Sequence, residues 1–250
     1  MDTTNTNPGS VATAEPEMAA SDASLRSLAA AVSLHLKGEQ EEALKELDRA
    51  EEHASTGDLA EIHAARGHIH SELGRFDRAA ASFSRLAELL PEDAQTRYRL
   101  GLCLQHLGRY SEALDSFHAA LLLGDNELRT KLAAGACLLQ INDGKAAIEL
   151  FDAALEQKPD SEEALFGKAV GLQLLWEFDE ATEIYERILE VNPHSEDSLS
   201  NLISLNLQRK DYDAVRHWSE ELLALRPDAI AGLVGLAGAS FATSDFEAAA

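Results

Sequence analysis

Three histidines, His63, His68 and His70, fall close together and pose the first chemical question of this chain. A helical zinc site needs His-Glu-x-x-His, whose two rings leave one helix face with a glutamate between them. Here His63 and His70 stand two turns apart, His68 points elsewhere, and no acidic residue sits at metal spacing. The three therefore read as solvated or half-buried histidines. Asp211-Tyr212-Asp213 mimics a metal-binding Asp-x-Asp but occupies a turn between helical patterns, where chance explains it better. Gly232 to Gly238, "GLVGLAG", is not Gly-x-Gly-x-x-Gly and follows no strand, so it makes no phosphate cradle. No Gly-x-Ser-x-Gly elbow occurs. The expectation is a non-enzyme with no catalytic residue, no metal and no cofactor.

Arg97, Arg99, Arg129 and Lys131 form the basic cluster of an acidic chain, in which 21 Lys+Arg face 44 Asp+Glu for a net charge of −23. Guanidinium groups fork onto carboxylates, so an acidic peptide is one reading. Local pairing with Glu92, Asp93 and Glu127 is the plainer one. The overall charge repels phosphate backbones and anionic lipid, so nucleic acid and membrane are excluded as expected partners. No stretch approaches 18 uninterrupted apolar residues. The first 23 residues lack Lys and Arg, carry no signal-peptide core and read as a disordered tail.

The elements that would position these side chains repeat. A small residue inside runs such as "GRFDRAAASF" and "GRYSEALDSF" falls at Ala43, Ala79, Ala113, Ala147, Ala181, Val215 and Ala249, spaced 36 and then 34 each time. A fixed period of this size signals a solenoid, in which each unit buries its apolar face only against its neighbours. Cys103 and Cys137 share the 34-residue spacing and so occupy equivalent places in adjacent layers. Layers about 8–10 Å apart exceed disulfide reach, so both thiols should be reduced and buried, in keeping with a cytoplasmic location. The third unit shows the plan. Tyr98, Leu100, Gly101 and Leu104 lie on its first helix, and Leu107-Gly108-Arg109 makes the turn. Tyr110, Ala113, Phe117 and Ala120 form one face of its second helix.

These residues resemble the tetratricopeptide repeat family, whose unit is a 34-residue helix–turn–helix. The family's small residue at position 8 matches Ala31, Gly67, Gly101, Gly135 and Ala169, and the marker series is its position 20. Its aromatic at 17 matches Phe76, Tyr110, Phe178, Tyr212 and Phe246. That at 24 matches Phe83, Phe117, Phe151 and Tyr185, and its proline at 32 matches Pro91, Pro159, Pro193 and Pro227. The resemblance implies an all-α, right-handed α-solenoid over residues 24–250. Its repeats run at about 24–59, 60–93, 94–127, 128–161, 162–195, 196–229 and an incomplete 230–250. The first unit departs with Gln40, Leu47 and Ser55, the third ends in Gly124-Asp125, and Ser219 leaves the packing of the sixth in doubt.

In this family the first helices line a concave groove. The resemblance places His68, Tyr98, Arg99, Leu102, Gln105, Arg129, Leu132, Ala136, Phe166 and Val170 on it, several of which would serve equally as packing between layers. Position 6 reads Ala29, Ala65, Arg99, Ala133, Gly167, Asn201 and Gly235, which is neither the family's carboxylate clamp nor its asparagine ladder. The expected function is a non-catalytic scaffold that binds a protein or peptide ligand in the groove. Because the seventh unit stops at Ala250, part-way through its second helix, two alternatives are framed. One is the N-terminal, substrate-presenting arm of a larger glycosyl- or sulfotransferase continuing beyond residue 250. The other is self-association through an exposed C-terminal repeat carrying Leu233, Leu236 and Phe241.

Overall fold

The structure, a computed structural model, describes residues 14–125 and 128–242. Among the described residues every regular element is an α-helix, and the chain divides into two compact units, Met1–Asp125 and Asn126–Ala250. The first unit holds α1 (Ala14–Leu36), α2 (Gln40–Glu51), α3 (Thr56–Glu72), α4 (Phe76–Leu89), α5 (Ala94–His106) and α6 (Tyr110–Leu122). The second holds α7 (Leu128–Gln140), α8 (Gly144–Leu155), α9 (Glu162–Leu174), α10 (Phe178–Val191), α11 (Glu196–Arg209), α12 (Tyr212–Leu225) and α13 (Ile230–Ala242). Consecutive helices pair as hairpins. The second helix of one hairpin also packs on the first helix of the next: α2 on α3 and α4 on α5 in one unit, α8 on α9, α10 on α11 and α12 on α13 in the other. Helix α1 already runs from Ala14, so residues 14–23 of the expected tail are helical. Their alanines and glutamates favour helix, and Pro16 falls in the first turn, where a missing N–H costs little. Residues 1–13, like Glu127, Phe246 and Ala249, lie outside the described residues.

Side-chain caps start several helices, each satisfying a backbone N–H that the helix itself leaves unpaired. On α3, the Asp58 N–H donates to Ser55 Oγ (3.3 Å) and the Ser55 N–H donates to the Asp58 carboxylate (2.9 Å). Asp93 accepts from the Thr96 N–H at the start of α5 (3.1 Å), and Ser161 from the Ala164 N–H at the start of α9 (3.4 Å). Asp211 of the Asp-x-Asp triplet does the same for α12, accepting from the Ala214 N–H at 3.2 Å.

The first helices of the six described hairpins stop by one device. Each time, an N–H reaches a carbonyl five residues back: Glu39 to Leu34, Arg75 to His70, Arg109 to Leu104, Asp143 to Leu138, Glu177 to Leu172 and Asp211 to Asn206. This is the Schellman closure, and it needs a left-handed residue just before the donor. Gly38, Gly74 and Gly108 (φ 81°, 68° and 70°) supply it in the first unit, and Asn142, Trp176 and Lys210 (φ 61°, 65° and 61°) in the second.

Inside the hairpins, Ala43, Ala79, Ala113, Ala147, Ala181 and Val215 are all fully buried. Large and small residues alternate across each hairpin. Gly67 lies under Phe83, Gly101 under Phe117 and Gly135 under Phe151; a Cβ on Gly101 would sit 2.6 Å from Phe117 Cε1. Ala31 shares a core with the smaller Leu47, and Ala169 with Tyr185. The sixth hairpin inverts the arrangement, with Ile203 at the small position and buried Ser219 at the aromatic one, both against Gly235. Each layer still pairs one large with one small side chain, as close packing requires. Cys103 and Cys137 are buried free thiols, one in each unit. Helix α13 takes in the whole of Gly232–Gly238 and exposes Ile230, Leu233 and Val234, while Leu236 is half-buried. No helix among the described residues is long and apolar enough to cross a membrane.

Candidate functional site

Within each unit the first helices repeat two equivalent positions one turn apart, and burial distinguishes them in α5 and α7. Tyr98 (α5) and Leu132 (α7) are buried, and Phe166 (α9) is half-buried. The two rings pack within their hairpins: the Tyr98 ring lies 5.9 Å from Phe117, and the Phe166 ring 5.7 Å from Tyr185. One turn further on, His68, Leu102, Ala136 and Val170, each 34 residues after the last, are all half-buried. Gln105 is half-buried and Arg129 exposed. Of the expected lining, then, His68, Arg99, Leu102 and Gln105 give the first unit its open face. Arg129, Ala136 and Val170 contribute to that of the second.

In the first unit His68 and Arg99 meet, with Arg99 Nη1 2.8 Å from His68 Nδ1 and the His68 ring standing edge-on to Phe83 (5.7 Å, 89°). Burial, then the Arg99 charge, holds His68 below the usual histidine value of 6.5. The neutral ring accepts at Nδ1 while the guanidinium donates. Arg97 and Lys131 donate instead to backbone carbonyls, Arg97 to Ala87 at 3.5 Å and Lys131 to Ala153 at 3.2 Å. Asp93 is engaged by the cap on α5. His63 and His70 are likewise held low, chiefly by burial, and their Nδ1 atoms are buried without hydrogen-bond partners. Among the described residues, no group of three or more His, Cys, Asp or Glu is placed to hold a metal ion.

Each unit has a cleft on this face. Between α1 and α3, Ala31, Val32, His35, Ala65, His68 and Ile69 line about 180 Å³. Between α9 and α11, Val170, Gln173, Leu174, Trp176, Asn201 and Gln208 line about 370 Å³. Gln173 is oriented from below: the hydroxyl of fully buried Tyr185 donates to Gln173 Oε1 at 3.3 Å. Burial pushes the Tyr185 phenol well above its usual value, so it stays protonated and donates. The sequence reading passed over Gln173, Trp176 and Gln208 as lining residues. The signal was present, since Gln173 stands two periods of 34 beyond Gln105 and Trp176 replaces the turn glycine of the first three repeats.

The family model for the tetratricopeptide repeat protein 21 N-terminal ARM repeat matches residues 10–216. No curated protein matches the sequence. Among solved structures, MamA residues 41 to the end from Desulfovibrio magneticus RS-1 superposes with a TM-score of 0.66 at 19% identity, over 70% of this chain and 99% of that one. A tetratricopeptide repeat protein from Parabacteroides merdae gives 0.72 at 17% identity, over 91% and 90%. YrrB, described as a TPR protein with an unusual peptide-binding site, gives 0.61 at 21% identity, over 72% and 90%. At these identities the likeness concerns the fold.

Proposed function

The chain belongs to this tetratricopeptide-repeat family, and from that premise we propose that it is a non-catalytic scaffold holding a peptide or protein partner against its first-helix face. The observation that carries the reading is the recurring position of His68 and Leu102 in the first unit and of Ala136 and Val170 in the second. A close-packed solenoid would bury these positions if they served packing alone, yet all four keep part of their surface open, while Tyr98 and Leu132, one turn earlier on α5 and α7, are buried. Their mix of aliphatic and polar groups, with Arg99 and Gln105 alongside, suits apolar anchors with polar selection. The peptide-binding description of YrrB supports the same use of the fold. The transferase-arm alternative draws no support from these relatives.

Affinity capture from cells of the source organism tests the proposal. Leu102→Glu and Val170→Glu together place charge on these open positions in both units, and Glu183→Lys changes charge on the outer, second-helix side. Partners lost with the first variant and kept with the second support the reading. Partners kept by both would move binding off the first helices, and no specific partner would remove the scaffold role.

A further inference from the structure

Trp176 is the least economical residue of the fold. It sits at the left-handed closure of α9 with φ 65°, where a side chain crowds the backbone and glycine is preferred. Its ring is also 74% exposed, so burial does not offset the backbone strain. Among the described residues its ring contact is with Phe178, at 5.5 Å and 54°. Helix closure does not need the indole, because Gly38, Gly74 and Gly108 make the same closure with the same backbone hydrogen bonds. A residue that strains the backbone with no burial to offset it, and that lines a cleft, is accounted for by what it contacts outside the fold.

The cleft says what that is. Its six lining residues carry no ionisable group, in a chain of net charge −23. Phosphate, carboxylate and ammonium groups would therefore find no counter-charge in the lining. Gln173 and Gln208 offer carboxamides, the side chains that pair with both the N–H and the C=O of a peptide unit. Tyr185 donates to Gln173 Oε1 and so fixes the carboxamide, whose NH₂ remains able to donate. Val170, Leu174 and Trp176 supply apolar surface on the same cleft.

We propose that Trp176 and Gln173 form a capture point for an uncharged, extended segment of a partner protein. Trp176 and Leu174 hold an apolar side chain of that segment, and the Gln173 carboxamide holds the carbonyl beside it. This rests on the scaffold reading above and deepens it by naming the chemistry of the bound segment.

The test uses a displayed library of random dodecapeptides selected on the whole chain, with melting temperature measured for every variant. Selected peptides should share an apolar or aromatic residue among uncharged neighbours. Trp176→Gly should weaken their binding about tenfold or more, as loss of a tryptophan anchor does, while raising the melting temperature by relieving the left-handed strain. Gln173→Leu should weaken binding at unchanged helical content. In a Trp218→Phe background, peptide addition should shift the Trp176 emission to the blue. Peptides that bind Trp176→Gly as well as wild type, yet are lost on Leu102→Glu, would overturn this inference and leave the scaffold reading standing. Enrichment of charged peptides would overturn the stated chemistry, and failure to select any peptide would overturn this inference while leaving the scaffold reading to the capture experiment. A Trp176→Gly protein that melts lower would show the indole to be structural, which also overturns the inference.

Discussion

Replacing Gly101 by alanine sets helix propensity against tertiary packing. In an exposed helix the change adds about 1 kcal/mol, because glycine is the poorer helix former by that margin. In α5 the new Cβ would lie 2.6 Å from Cε1 and 2.7 Å from Cδ1 of Phe117, a ring with no exposed surface. Carbon atoms in contact prefer about 3.5–4.0 Å, so ring or helix must shift by about 1 Å. Overpacking a dense layer costs roughly 1–3 kcal/mol, and an overlap this deep belongs in the upper half of that range. The expected net effect is a loss of about 1–2 kcal/mol. Urea unfolding followed by helical circular dichroism reads the total. Amide exchange in α5 and α6 reads it locally, because repeat arrays need not unfold in one step. The first repeat suggests the rescue, since it pairs Ala31 with Leu47. Combining Gly101→Ala with Phe117→Leu should therefore cost less than the sum of the single changes, with a coupling of about 1 kcal/mol. A Gly101→Ala protein more resistant to urea than wild type, or strict additivity in the double variant, would refute the packing assigned here.

Acid should weaken the first unit before its carboxylates titrate. His63, His68 and His70 are all held below 6.5 in the fold, while in the unfolded chain they take up protons near that value. Between 6.5 and the folded values the unfolded state binds more protons, so their stabilising contribution is complete above pH 6.5 and fades as pH falls. Urea midpoints at pH 7.5 and 5.5 should differ in that direction, and the difference should shrink when all three are changed to glutamine. The cysteines should be inert. Burial lifts Cys103 above the usual thiol value and Cys137 to about 11, so little thiolate exists at pH 8. A chromogenic disulfide reagent should react slowly with native protein and fast with both thiols in denaturant; a fast native thiol would contradict the burial.

The period of the repeat, the helical hairpin and the turn positions are legible in the chain itself. They follow from local rules: which residues start a helix, which stop it, and which recur on one face. Asp93, Ser161 and Gly108 act through neighbours a few residues away, so their roles can be read without the fold. The division of labour on the first helices cannot be read this way. Tyr98 and Leu102 are four residues apart and look equally fit to line a groove, yet Tyr98 turns onto Phe117 while Leu102 stays partly open. That choice is made by a side chain from another helix, as is the fit of Ile203 and Ser219 against Gly235. Trp176 shows the same limit. Its type is plain in the sequence, but its left-handed backbone, its exposure and its place on a cleft with Gln173 depend on helices that tertiary packing brings together. Sequence periodicity determined the architecture because it is written in short-range spacing. Tertiary structure decided which side chains stay open to solvent, because burial is a property of the neighbours and not of the residue.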